Sequence, residues 1–215
     1  MSIHFEREIQ KLNTEILNLG EIVKRSVHDA LEAVTEGDNS KCQQVIEGDL
    51  LVNKLEIEVE EECLKILALH QPVAGALRYV VACLKINNDL ERIGDLAVNI
   101  AQQTQTLTDD YKLVIDFSEM AKITEEMLIL SLDALIHEKL DNVSKVVYLE
   151  DKLNQLHIDN YGVIAKIGEE KPKRIKYLMR HMAISRYLER IGDHCTNIAE
   201  DVEYMINGKI MRHLH

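Results

Sequence analysis

Tryptophan is missing from this 215-residue chain, phenylalanine occurs twice, and only two prolines and nine glycines interrupt it. So few breakers exclude a turn-rich β architecture and leave long uninterrupted helices feasible. No stretch approaches 18 uncharged apolar residues, so no membrane-spanning helix is expected. Met1–Ile9 already carries His, Glu and Arg, a poor start for a secretory leader, and a cytoplasmic location is expected. The four cysteines, Cys42, Cys63, Cys83 and Cys195, form no C-x-x-C pair. They read as small buried hydrophobes in a reducing compartment rather than as a disulfide framework. Basic residues are also short: 25 against 37 acidic ones, a net charge of −12. That balance repels polyanions, argues against a general nucleic-acid binder and suits cations, although plain solubility explains it better.

What is present is a duplication. The hexapeptide Leu-Glu-Arg-Ile-Gly-Asp occurs at Leu90–Asp95 and again at Leu188–Asp193, 98 residues apart. A repeat of that period marks two equivalent structural units. Upstream, Asp49-x-x-x-Asn53-x-Leu55 lines up with Glu150-x-x-x-Asn154-x-Leu156, and Tyr79 with Tyr177. Downstream, Asn99-Ile100-Ala101 matches Asn197-Ile198-Ala199.

Helical periodicity fills both units. Ile9, Leu12, Ile16, Leu19, Val23, Val27, Ala30 and Val34 recur at steps of three and four, the pattern of an amphipathic helix that ends near Gly37. A second helix is expected from about Ser40 to His70, with Val45, Leu51 or Val52, Leu55, Val59 and Leu64 as its apolar positions and Glu56–Glu62 as a solvated face. A third runs from Pro72 to about Leu107. Thr108-Asp109-Asp110 is the linker. Three further helices then run from about Asp116 to Glu138, Leu140 to Ile167, and Pro172 to Ile206. Each proline falls where the third helix of a unit begins, a position that tolerates its missing N–H. The fold expected is all-α: two tandem three-helix bundles, residues 1–109 and 110–215, six long helices related by an internal pseudo-twofold.

Positions four apart on a helix drift by only about 40° per step, so they line one stripe. Glu91, Asp95 and Asn99 therefore share one side of the third helix, with Ile86, Ile93, Ala97 and Ile100 roughly opposite. Glu189, Asp193 and Asn197 repeat the arrangement against Ile184, Ile191 and Ile198. This reading places the acids on the outer surface, where the Asp49/Asn53 and Glu150/Asn154 pairs can meet them laterally. Carboxylates one turn apart repel, by a few tenths of a kcal/mol, and a cation between them reverses the sign. A single E-x-x-x-D is ordinarily just a solvated face, but a surface stripe that stays identical in two diverged halves points to metal binding. The donors are hard oxygens, suited to Mg, Mn, Ca or Fe. Gly94 and Gly192, each costing about 1 kcal/mol against Ala in a helix, read as points of close helix–helix approach.

Other candidates are weaker. His194 is matched by Leu96, so a ligand role fails the repeat test; His213 and His215 form a tail pair. Lys171, Lys173, Arg174, Lys176 and Arg180 gather at a helix start, able to grip an anion but better read as solvated charge.

With its doubled L-E-R-I-G-D, trailing N-I-A, upstream D/E-x-x-x-N and Gln71-Pro72, the whole chain resembles the PhoU family of phosphate-signalling proteins. The resemblance implies tandem three-helix bundles, commonly as a homodimer. It also implies a surface metal cluster on each bundle, of iron or zinc, held by E(D)-x-x-x-D motifs. Those motifs fall here on Glu91/Asp95 and Glu189/Asp193 without change, and on Asp49/Asn53 and Glu150/Asn154 with Asn as the second residue. The role implied is a negative regulator linking the phosphate ABC transporter ATPase to a phosphate-sensing histidine kinase. Two rivals stand beside it: a metal-dependent phosphohydrolase or di-iron enzyme, and a metal-free helical scaffold. Di-iron bundles use Glu-x-x-His inside the bundle, and no Glu-x-x-His occurs in this chain.

Overall fold

A computed structural model describes residues 3–107 and 114–208. They form six long helices: α1 (Ile3–Glu36), α2 (Asn39–His70), α3 (Ala74–Gln105), α4 (Ser118–His137), α5 (Leu140–Glu170) and α6 (Ile175–Asn207). There is no strand among the described residues, and none of their helices is long and apolar enough to cross a membrane. The join expected at residues 109–110 and the His213/His215 pair lie outside the described residues.

Local chemistry sets the helix ends. Gly37 takes φ +73°, a conformation nearly free only for glycine. Asp38 then caps α2, its carboxylate accepting from the backbone N–H of Ser40 at 2.8 Å and of Lys41 at 3.2 Å. Pro72 does not open α3. It sits in the extended link before Ala74, whereas Pro172 starts a single 3-10 turn, Pro172–Arg174, that leads into α6. The break expected at Gly168 comes late, because α5 continues through Gly168 to Glu170.

The periodic positions of α1 from Leu12 to Val34 are buried, as are Ile86, Ile93, Ala97 and Ile100 of α3 and Ile184, Ile191 and Ile198 of α6. Helix α2 departs from expectation. Val52 rather than Leu51 turns inward, Leu64 is 52% exposed, and Cys63 and Ile66 fill the core instead. The helix carries apolar residues on both faces, so periodicity placed its inner face through Val59 and erred only at Leu64. The acidic run is not uniformly solvated either: Glu62 is only 5% exposed and accepts from Lys11 Nζ at 2.6 Å and Lys65 Nζ at 3.1 Å. Burial pushes its carboxyl up, but the two lysines hold it below the ordinary carboxylate value. All four cysteines are free and buried, and burial raises the Cys63 and Cys83 thiols to about 12.

Each half packs its three helices together, and the halves meet where α3 lies on α6 and α1 on α4. One apolar cluster runs through both halves. Polar contacts stitch the same seam. Lys85 Nζ lies 2.7 Å from the buried Asp201 Oδ1, and Asp89 Oδ1 pairs with His194 Nδ1 at 2.7 Å and accepts from Asn197 Nδ2 at 3.2 Å. Arg180 donates to the Thr106 carbonyl.

Within each half the two repeated glycines fix how closely the second helix approaches the third. A Cβ on Gly94 would lie 3.1 Å from Val52 Cγ1, and one on Gly192 only 2.5 Å from Leu153 Cδ2, with Met127 at 3.4 Å. Leu153 and Met127 are fully buried, so neither yields freely. The Gly192→Ala substitution gains about 1 kcal/mol of helix propensity and incurs roughly 1–3 kcal/mol of overpacking. A net loss of about 1 kcal/mol is expected for Gly192→Ala in urea unfolding, with Gly94→Ala close to neutral. The reverse order would remove close approach as the reason for these glycines.

Candidate metal centre

The glycine contacts bring the expected residues together. Val52 touches the Gly94 position and is flanked on α2 by Asp49 and Asn53; Gly94 is flanked on α3 by Glu91 and Asp95. All four flanking polar side chains are half-buried in the groove between the helices. The acids face outward as the sequence reading expected, but are partly covered, Glu91 at 22% and Asp95 at 41% side-chain exposure. Asp49 Oδ2 accepts from Asn53 Nδ2 at 2.9 Å, while its Oδ1 is buried with no hydrogen-bond partner. Burial raises the Asp49 carboxyl above its ordinary value, the Asn53 amide partly offsets that, and the charge of Asp95 raises it further. Glu91 is raised by burial and then by Asp95, with smaller contributions from Glu56 and Asp49. Arg92 reaches back loosely, 3.4 Å from Glu91 and 3.5 Å from Asp95. At that distance and exposure the contact is worth about 0–1 kcal/mol and does not neutralise the pair.

The second half repeats the plan with different partners. Leu153 meets the Gly192 position, which sets Glu150 and Asn154 on α5 beside Glu189 and Asp193 on α6. Burial raises Glu150, a 2.9 Å hydrogen bond from Thr196 Oγ1 opposes it, and Asp151, Glu200 and Glu189 push it up again. Asp193 is carried to about 6, first by burial and then by the charges of Glu189 and Glu150, against the weaker pull of His194 and Arg190. The Asn154 Oδ1 is buried without a partner, as Asp49 Oδ1 is in the first half. A buried oxygen left unpaired costs on the order of 1–3 kcal/mol. A cation coordinated by these oxygens would remove both that cost and the mutual repulsion, and the all-oxygen donor set fits a hard ion.

Some stripe members go elsewhere. Asn197 turns into the seam to donate to Asp89, and His194 pairs with the same carboxylate. Glu56 was missed. Its charge acts on Glu91, and its Oε1 lies 3.5 Å from Asn87 Nδ2. The available signal was its place one turn beyond Asn53, but the equivalent residue in the second half is His157, so comparing the repeats concealed it. Among the described residues, no stripe contains three carboxylates whose ligand atoms close to within 4.8 Å of one another. A cation held there would need the amide oxygens as well as the acids.

A family model described as PhoU domain matches residues 16–104 and 117–202. The chain is 30% identical to the phosphate-specific transport system accessory protein PhoU homolog of Clostridium acetobutylicum, over 95% of each chain. It is 32% identical to the phosphate-specific transport system accessory protein PhoU of Serratia marcescens, over its own whole length and 89% of that protein. The crystal structure of PhoU from Pseudomonas aeruginosa superposes with a TM-score of 0.91 at 31% identity, covering 95% of this chain and 100% of that one. That of the phosphate transport system regulatory protein PhoU from Streptococcus pneumoniae gives 0.86 at 25%, covering 96% and 98%.

The displaced Asp193 carboxyl has a thermodynamic consequence. Between its ordinary value of 3.8 and the folded value of about 6, the native state holds more protons than the unfolded one. Stability therefore falls as pH rises through that window, and the full penalty stands above it. Solvent screening at a half-exposed site reduces the penalty to about 1 kcal/mol. In chelator-treated protein, Asp193→Asn is expected to raise unfolding free energy by about that amount near pH 7.5, with the gain vanishing near pH 4. Urea titrations at the two pH values test this; a gain that persists in acid would mean ionisation is not its cause.

Proposed function

The chain belongs to the PhoU family, and from that premise we propose that it is a metal-binding cytoplasmic adaptor that restrains phosphate uptake and phosphate-regulon signalling. Its relatives are phosphate transport accessory proteins by name, and the corresponding partners here are the phosphate ABC transporter ATPase and a phosphate-sensing histidine kinase. Asp49, Asn53, Glu91 and Asp95 hold the cation of the first bundle, and Glu150, Asn154, Glu189 and Asp193 that of the second. Glu56 adds a fourth carboxylate to the first set. Iron or zinc is the ion proposed, with Mg or Mn able to use the same oxygens.

The observation that carries this reading is the same in both halves. Helices that approach closely at a glycine press like-charged, desolvated carboxylates together beside an unpaired buried oxygen. Nothing in folding alone rewards that arrangement, whereas a bound cation does. A cation so held leaves its outer side open to a partner or to phosphate, as an adaptor requires. Leu50, Ile57 and Leu64, all exposed at seven-residue spacing along α2, support an association surface for a homodimer.

Metal analysis of purified protein tests the ligand assignment. Glu91→Ala/Asp95→Ala is expected to remove the metal of the first bundle, Glu189→Ala/Asp193→Ala that of the second, and the two together nearly all of it. Undiminished metal in both double variants ends the assignment. Co-purification with the transporter ATPase or the kinase from phosphate-replete cells tests the adaptor role. Recovery of neither counts against that role, and robust phosphoester hydrolysis or dioxygen turnover by the loaded protein would put an enzyme in its place.

A further inference from the structure

We propose that His28, Asp29 and Glu32 on α1, oriented by Glu125 on α4, form a divalent transition-metal site of the zinc type at the seam between the two halves, separate from the carboxylate stripes. The three α1 side chains each offer a ligand atom, and these atoms lie within 4.8 Å of one another, the one such trio of His, Cys, Asp and Glu among the described residues. His28 and Glu32 are one turn apart on the same helix face, with His28 Nε2 3.6 Å from Glu32 Oε1. Two ligands on a tetrahedral zinc with bonds of about 2.0–2.2 Å stand about 3.4 Å apart, so this separation is already close to a zinc bite.

The orientation of the ring is the second observation. His28 Nδ1 lies 2.8 Å from Glu125 Oε1. A carboxylate accepts, so Nδ1 carries the proton and the lone pair falls on Nε2, on the side of Glu32. This is the arrangement in which a carboxylate behind a histidine fixes its tautomer for a metal in front. Glu32 is prepared in the same way: Lys41 Nζ holds its Oε2 at 2.6 Å, leaving Oε1 toward the imidazole. The nitrogen donor distinguishes the site chemically from the oxygen-only stripe of the first half and selects zinc-like ions over magnesium or calcium. Because Glu125 belongs to the second half, an ion here clips α1 to α4, which already approach closely where a Cβ on Gly20 would lie 2.8 Å from Leu132 Cδ2.

The test uses the full chain carrying Glu91→Ala, Asp95→Ala, Glu189→Ala and Asp193→Ala, so that the stripes contribute nothing. Titrated with zinc against a chromophoric chelator, this background is expected to bind one equivalent and to gain in Tm. Adding His28→Ala should abolish that equivalent, and Glu32→Gln should weaken it at least about tenfold. Glu125→Gln should weaken it about 10–100-fold with the stoichiometry kept. In the unaltered chain, zinc should shift the Nε2 resonance of the His28 imidazole, a readout that survives even if the multiple variant folds poorly. No zinc equivalent in the background, an unchanged affinity after His28→Ala, or an unmoved His28 resonance would overturn the site and leave the stripes' assignment untouched.

Discussion

The carboxylate grooves of this protein depend on how closely the second helix of each half lies against the third. The contact is made through a single missing side chain in each half, Gly94 under Val52 and Gly192 under Leu153. Glycine there gives up helix propensity, and in return the carboxylates on either side of the contact share one narrow groove. A wider spacing would leave Asp49 and Asp95, or Glu150 and Asp193, as separate solvated charges with no reason to perturb each other. The raised carboxyl groups of both halves are thus a consequence of backbone proximity.

That proximity costs stability. Desolvated like charges and unpaired buried oxygens each oppose folding, on a chain that already carries a net charge of −12. The long continuous core of Leu, Ile, Val and Ala absorbs the cost. Under the proposed function, coordination of a cation would return part of it and so couple the energetics of the fold to the occupancy of the groove.

The two halves are alike in their motifs and unlike at their interface. The charged pairs between α3 and α6 use residues the duplication does not preserve: Lys85 corresponds to Ala183, and Asp89 to Tyr187. Their partners Asp201 and His194 likewise have no counterpart pairing in the other direction. The halves thus differ most where they meet, while each groove keeps its E-x-x-x-D pair and the Asn one turn beyond the second-helix acid. Helix α1, which contains no repeated motif, contributes His28 and Glu32 to the same seam.

Helical periodicity, the doubled L-E-R-I-G-D and the scarcity of breakers determined the fold class, the duplication, the inward faces of α1, α3 and α6, and the four acids of the third helices. Those features are local: an amphipathic period fixes the angle of each side chain about its own helix axis. It does not fix the distance or rotation of a neighbouring helix. So the half-burial of the stripes, the recruitment of Glu56, the loss of Asn197 to the seam, the inward turn of Val52 instead of Leu51, and the meeting of His28 with Glu125 were decided only in three dimensions. Each of these involves residues distant in sequence, or a helix with apolar residues on two faces, where packing against a particular neighbour selects one arrangement from several that the chain alone permits.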